Sequence, residues 1–216
     1  MFKKIILFCF SIAAGALIII SGFLWVSPRN TQVLEIILPK SLFSLENAPA
    51  NSLAGEIASI SGKVAWQSRV APVAILIDSP TKLQQGEEVD SYNNGNAMVS
   101  FSKVGTIAIF SNTQINFIQT LFQDFVISQK QGSADYSKTG ENPLSVVALD
   151  LLVNINSGES SIFVNKDTST VTVNVKIGYD TAAFNDRDDN TQVIPLKAGQ
   201  QYIFDENTKT GLIKTL

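Results

Sequence analysis

The stretch from Leu83 to Phe110 reads LQQGEEVDSYNNGNAMVSFSKVGTIAIF, and its spacing decides the fold. Ala97, Val99 and Phe101 alternate with Asn96, Met98 and Ser100, and Ile107 and Ile109 then alternate with Thr106 and Ala108. A period of two sends successive side chains to opposite faces of an extended chain, so these runs are strands with one buried and one wet face. Gly86, Gly95 and Gly105 stand at the breaks, where a reversing chain often needs a positive φ. Nothing in the stretch is arranged for chemistry.

The same pattern extends downstream. Val147, Leu149, Leu151, Val153 and Ile155 alternate with Ala148, Asp150, Leu152 and Asn154, and Val171, Val173, Val175 and Ile177 alternate with Thr172, Asn174 and Lys176. Between runs lie NNG, KVG, NSG, KDTS and KAG, which are turn signals at hairpin spacing. No helical stripe competes with them. Residues 57–216 are therefore expected to form an all-β domain of stacked, twisted antiparallel sheets, with Gly86, Gly105, Gly158, Gly178 and Gly199 at the reversals. The chain has 13 phenylalanines against 4 tyrosines and 2 tryptophans, and a ring without a polar handle suits core filling better than stacking on sugars or bases.

Upstream the writing changes. Lys3 and Lys4 precede an uncharged run, IILFCFSIAAGALIIISGFLWV, from Ile5 to Val26. As a helix it would span about 33 Å, enough for a bilayer core of about 30 Å. Residues 1–4 then read as a short cytoplasmic tail, 5–26 as a single-pass signal anchor with Trp25 at the far interface, and 27–56 as a juxtamembrane linker broken by Pro28, Pro39 and Pro49. A cleaved signal peptide ending at Ala14-Gly15-Ala16 fits less well, because LIIISGFLWV would become the mature start. Everything after Pro28 is expected outside the cytoplasm.

Composition narrows the chemistry. A net charge of -3 without clustered Lys or Arg argues against nucleic acid as a partner. Histidine is absent and Cys9, the single cysteine, lies in the apolar run, which removes Ser-His, Cys-His, disulfide and thiolate-zinc arrangements. Ser102-Lys103 is a nucleophile–base pair only on paper, since neighbours on a strand point to opposite faces. Asp186, Asp188 and Asn190 match the opening of a calcium loop, yet Thr191 takes the place of its glycine and Lys197 that of its bidentate glutamate. A polar hairpin loop accounts for them better. No cofactor is expected.

With the strands laid out, the chain resembles the extracytoplasmic domain of the FecR-like family, known from ferric-citrate regulators of iron uptake. Gly86-Glu87-Glu88-Val89-Asp90-Ser91 is similar to that family's G-D-x-V-x-T element, with Glu for Asp and Ser for Thr. Ala97 to Phe101 and Val104 to Ile109 are similar to its next strand and returning strand, and Ser61-Gly62-Lys63-Val64 to its opening G-x-V. VVALDLLVNINSGESSIF (146–163), TVTVNVKIG (170–178) and VIPLKAGQQYIF (193–204) resemble later elements in order. The resemblance implies a sandwich-like or solenoid-like all-β fold and a sensing or binding role in the bacterial envelope. Members that inhibit sigma factors carry a folded module before the membrane helix; here only Met1 to Lys4 precede the apolar run. The expectation is a non-catalytic, membrane-anchored module with an envelope protein partner. The alternative is a polysaccharide hydrolase using two carboxylates in one cleft.

Overall fold

A computed structural model describes residues 47–141 and 144–216, and every regular element among them is a strand. In chain order these are β1 (Gly55–Ser61), β2 (Val64–Gln67), β3 (Ile75–Ile77), β4 (Thr81–Leu83), β5 (Glu88–Ser91), β6 (Asn96–Phe101) and β7 (Gly105–Ile109). There follow β8 (Thr113–Leu121), β9 (Asp124–Lys138), β10 (Leu144–Ala148), β11 (Leu151–Asn165), β12 (Thr170–Asn185), β13 (Thr191–Lys197), β14 (Gln200–Asp205) and β15 (Thr210–Thr215). The alternation read in the opening stretch holds: Val89, Ala97, Val99, Phe101, Ile107 and Ile109 are buried and Met98 faces out. The expected membrane segment and most of the linker lie outside the described residues. The sheet begins earlier than residue 57, since Leu53 N–H donates to Thr120 C=O at 2.7 Å and Ser52 bridges Leu121.

The pairings resolve into two layers. One runs β3–β2–β5–β8, then the first half of β9, β10, the first half of β11, the second half of β12, and β13. The other runs β4–β1–β6–β7, then the second halves of β9 and β11, the first half of β12, β14 and β15. The long strands β9, β11 and β12 thus serve both layers, and the buried side chains of both inner faces form one core. Among the described residues every pairing is antiparallel except β9 with β10. That exception has a simple cause. β9 has already crossed into the second layer, so the chain winds once around the core and returns beside its own first half, Leu144 opposite Phe125.

A strand that crosses between layers must keep its apolar side chains inward, and each crossing changes their parity. In β9 the buried positions pass from 125, 127 and 129 to 134 and 136; in β11 from 151, 153 and 155 to 160, 162 and 164; in β12 from 171, 173 and 175 to 180, 182 and 184. An extra residue, a bulge, bends a strand and resets its alternation. Gly158 and Gly178 face each other across β11 and β12 at this point, with φ of 83° and 88°. A side chain there would meet backbone: a Cβ on Gly158 would lie 2.2 Å from Ile177 O, and one on Gly178 2.0 Å from Ser157 O. These two glycines therefore sit inside strands, at bends, and not at the expected reversals. The same bulge overturns the reading of Ile177 as an inward residue, since it is 57% exposed. The run from Val147 to Ile155 is likewise two strands, with Leu149 in the hairpin at φ 52° and Val146 and Ala148, not Val147, buried.

Phe101 packs against Phe125 at 4.7 Å between ring centroids and against Phe117 at 5.6 Å, while Phe184 meets Phe204 at 4.8 Å. Burying each ring stabilises the fold by about 2–3 kcal/mol. Phe110, Phe122 and Phe163 remain substantially exposed, so core filling does not account for every phenylalanine. Gln129 is one of several polar side chains that enter the core with hydrogen-bond partners. Gln129 Nε2 donates to Gly132 O at 2.8 Å and to Ile162 O at 3.0 Å, and its Oε1 accepts from Tyr136 Oη at 2.8 Å.

Two neighbouring hairpins share one cap. Asn165 Oδ1 accepts the N–H groups of Asp167 and Thr168, and Asp205 Oδ1 those of Asn207 and Thr208. Thr168 bonds Thr170 through their hydroxyls and Thr208 bonds Thr210, with Ser169 and Lys209 at φ 51° and 52°.

Gly105 opens β7 at φ 151°, and a Cβ there would stand 2.0 Å from Ser137 O. Gly105→Val is expected to destabilise by about 3 kcal/mol, from strain plus displaced backbone. Denaturant melts of the two proteins check this; an unchanged midpoint would mean that the β7–β9 ladder opens without cost.

Candidate functional site

At one end of the sandwich the hairpin tips of the two layers converge. Lys209, in the β14–β15 tip, forms an ion pair with Asp150 of the β10–β11 tip. Arg187, in the β12–β13 tip, donates to Asn207 O at 3.1 Å. Between them lies an open depression of about 580 Å³, floored by Leu152, Ala183 and Phe184 and rimmed by Asp150, Asp186, Asp189 and Lys209.

The calcium candidates fall here, and their geometry is that of a capped turn. Asp186 Oδ1 accepts the N–H groups of Asp188 and Asn190, both at 2.9 Å, and Oδ2 accepts from Gln192 Nε2 at 2.8 Å. These bonds, the Asn190 backbone N–H first, hold the Asp186 carboxyl below its ordinary range. Both oxygens are thus engaged, one by the loop itself and one by Gln192 at the start of β13. Of the three candidates only Asp186 lines the depression. Among the described residues no group of three or more His, Cys, Asp or Glu side chains could hold a metal ion.

A smaller hollow of about 170 Å³ lies on the second layer, where Met98, Ala108, Asp135, Glu159 and Lys176 meet. Asp135 is engaged there too, by Lys176 Nζ at 2.6 Å and by Ser161 Oγ at 2.5 Å. Each depression therefore presents one carboxylate without a side-chain partner among the described residues, Asp189 in the first and Glu159 in the second. A glycosidase requires two acting across one bond.

Glu87 and Glu88 of the opening motif have structural partners as well. Glu87 Oε2 accepts from Trp66 Nε1 at 3.0 Å and from Gln84 N–H at 2.8 Å, which ties β2 to the turn before β5. Burial pushes its carboxyl up, and those two hydrogen bonds pull it back. Glu88 meets Lys130 Nζ at 2.5 Å and Gln114 Nε2 at 2.6 Å across β5, β8 and β9. Burial, and then the Glu88 charge, raise Asp90 beside it. Of the glycines expected in turns, Gly86 and Gly199 are in turns, at φ 84° and 79°, and Gly105 begins a strand just after one. None of the three lines either depression.

Sequence reasoning gave no notice of Asp180, because its environment is made by a distant strand. It is fully buried on β12, Ser160 Oγ donates to its Oδ2 at 2.6 Å, and Oδ1 has no partner among the described residues. Burial pushes this carboxyl up to about 6, opposed by the Ser160 hydrogen bond.

Comparison with known proteins adds a fold and no family. No protein-family model matches the chain, and no curated protein does. Two crystal structures described as a "putative anti-sigma factor from Parabacteroides distasonis ATCC 8503", at 2.50 Å and 1.65 Å resolution, superpose with a TM-score of 0.50 at 16% and 15% identity. Each match covers 59% of this chain and 59% of the other, so the shared part is a little over half of either. At this identity the likeness is one of fold, all-β and sheet-rich.

A raised folded-state pKa gives Asp180 a defined pH signature. The group binds its proton more tightly when folded, so its contribution is most favourable below about pH 4 and is lost as pH rises to about 6. Asp180→Asn is expected to flatten that part of the stability–pH curve and to stabilise by about 2 kcal/mol near pH 7.5. Denaturant midpoints at pH 4.5 and 7.5 test it. An unchanged slope would assign the titration to other groups.

Proposed function

We propose that this chain is a membrane-anchored, extracytoplasmic binding or scaffolding module of FecR-like fold, which holds a protein partner in the cell envelope and catalyses no reaction. The observation that carries the reading is the engagement of its carboxylates: Asp150 by Lys209, Asp135 by Lys176 and Asp186 by its own loop. What remains is a surface of strands and hairpins, polar with scattered apolar side chains such as Leu76, Ile177 and Val193, and among the described residues no nucleophile–base pair is assembled on it. The fold shared with structures described as a "putative anti-sigma factor" supports a non-catalytic regulatory or sensing role. The anchor and its orientation rest on the apolar run from Ile5 to Val26 behind Lys3 and Lys4.

Two experiments test the reading. N-terminal sequencing of membrane-extracted protein is expected to find an intact start; a mature chain beginning at Leu17 or past Trp25 would remove the anchor. Crosslinking in intact cells is expected to capture envelope proteins with the full chain and to lose them when residues 57–216 are deleted. Identical capture by both would show that the β domain recruits nothing.

A further inference from the structure

Among the described residues the layers end on β3 and β4 at one side and on β13 and β15 at the other. An exposed edge strand invites another strand, and proteins blunt it by shortness, proline or charge. β3 and β4 are 3 residues each, and β13 carries Pro195, which has no N–H to offer. β15 is 6 residues long, exposed at every position, and holds Leu212 at 58% and Ile213 at 43% exposure. Lys214 is its single charge.

The direction of its free backbone groups can be read from its paired side. Leu216 N–H donates to Gly199 O at 2.8 Å, in line with an unbroken register from Thr210 opposite Asp205 to Thr215 opposite Gln200. Antiparallel pairing alternates, so Thr210, Leu212 and Lys214 turn their N–H and C=O groups to β14. Gly211, Ile213 and Thr215 turn theirs to the open edge.

We propose that β15 pairs with the β15 of a second copy of this chain, antiparallel, about a twofold axis through Ile213. That centre sets Ile213 opposite its twin and Gly211 opposite the twin's Thr215, so all three outward residues exchange hydrogen bonds. A centre on Leu212 would leave Thr215 without a partner strand residue of β15. The charges also favour it. Each Lys214 lies against the Leu212 of the other copy, where its aliphatic stem covers the leucine and no like charges face each other. Ile213 shares the register of buried Tyr202, so the two isoleucines extend the core across the junction. The contact is isologous and closed, and it joins the two second layers into one sheet. It rests on this edge alone and stands apart from any envelope partner.

The test uses the full chain in detergent on a Cys9→Ser background. Ile213→Cys is expected to give a disulfide-linked dimer under mild oxidation, because directly opposed hydrogen-bonded residues lie about 5.5 Å apart at Cα. Leu212→Cys, whose twin lies two residues out of line, and Lys82→Cys on β4 are expected to crosslink at least about tenfold less. Equal or greater yield from either would overturn the proposal. A nitroxide on Thr215→Cys gives an independent reading. Its twin is expected at about 14 Å between Cα atoms, four residues of strand rise plus one strand spacing. Absence of a short distance would also overturn it.

Discussion

A strand that belongs to two sheets must turn a corner and still present its apolar side chains to the same core. Three long strands of this protein meet that constraint with a local insertion, and the two-layer fold depends on it. Without the bends in β11 and β12, Ser160, Ile162 and Val164 would face outward, and Asp180, Ala182 and Phe184 with them. The close approach of Gly158 and Gly178 is therefore a condition of the whole core. Two strands bend at the same height, each with its Cβ position filled by the other's backbone.

The bends also explain where polar groups enter the interior. A bulge interrupts the ladder and leaves amides and carbonyls to find other partners. Gln129 answers this at the corner of β9 by reaching both Gly132 O and Ile162 O, and Tyr136 completes it. Ser160 and Asp180 stand just past the corners of β11 and β12, and they answer less fully, since Asp180 keeps one oxygen unpaired. The buried carboxyl is thus a by-product of how the chain changes layers, and its raised pKa follows from position.

Much of this architecture is legible in the sequence, and the failures share a cause. Alternation marked β6 and the first half of β12 correctly, residue by residue, because one face of each is wholly buried. Glycine in an apolar–polar gap then proved ambiguous. A reversal and an in-strand bulge both call for a positive φ, so NSG before Glu159 read as a turn although β11 bends there and continues. The repeated cap of Asn165–Thr170 and Asp205–Thr210 is written in the same spacing of Asx and Thr, a signal that the reading by alternation and glycine passed over. The site residues were harder. Lys209 and Asp150 are distant in sequence, and Asp180 acquires its surroundings from β11, so no local window contains the information. Asp186, whose partners are its own neighbours, was legible as a loop residue.

The winding of the chain from layer to layer means that strands close in space are mostly close in sequence, from β15 through β14, β12, β11 and β10 to β9. Such a structure behaves as a stack of coils, each stabilised chiefly by the one before it and the one after. Opening then begins at the ends and stops at the first well-packed coil. In amide exchange of the lone protomer, the β14–β15 hairpin would report the free energy of fraying, and the Phe101–Phe125 region that of complete unfolding.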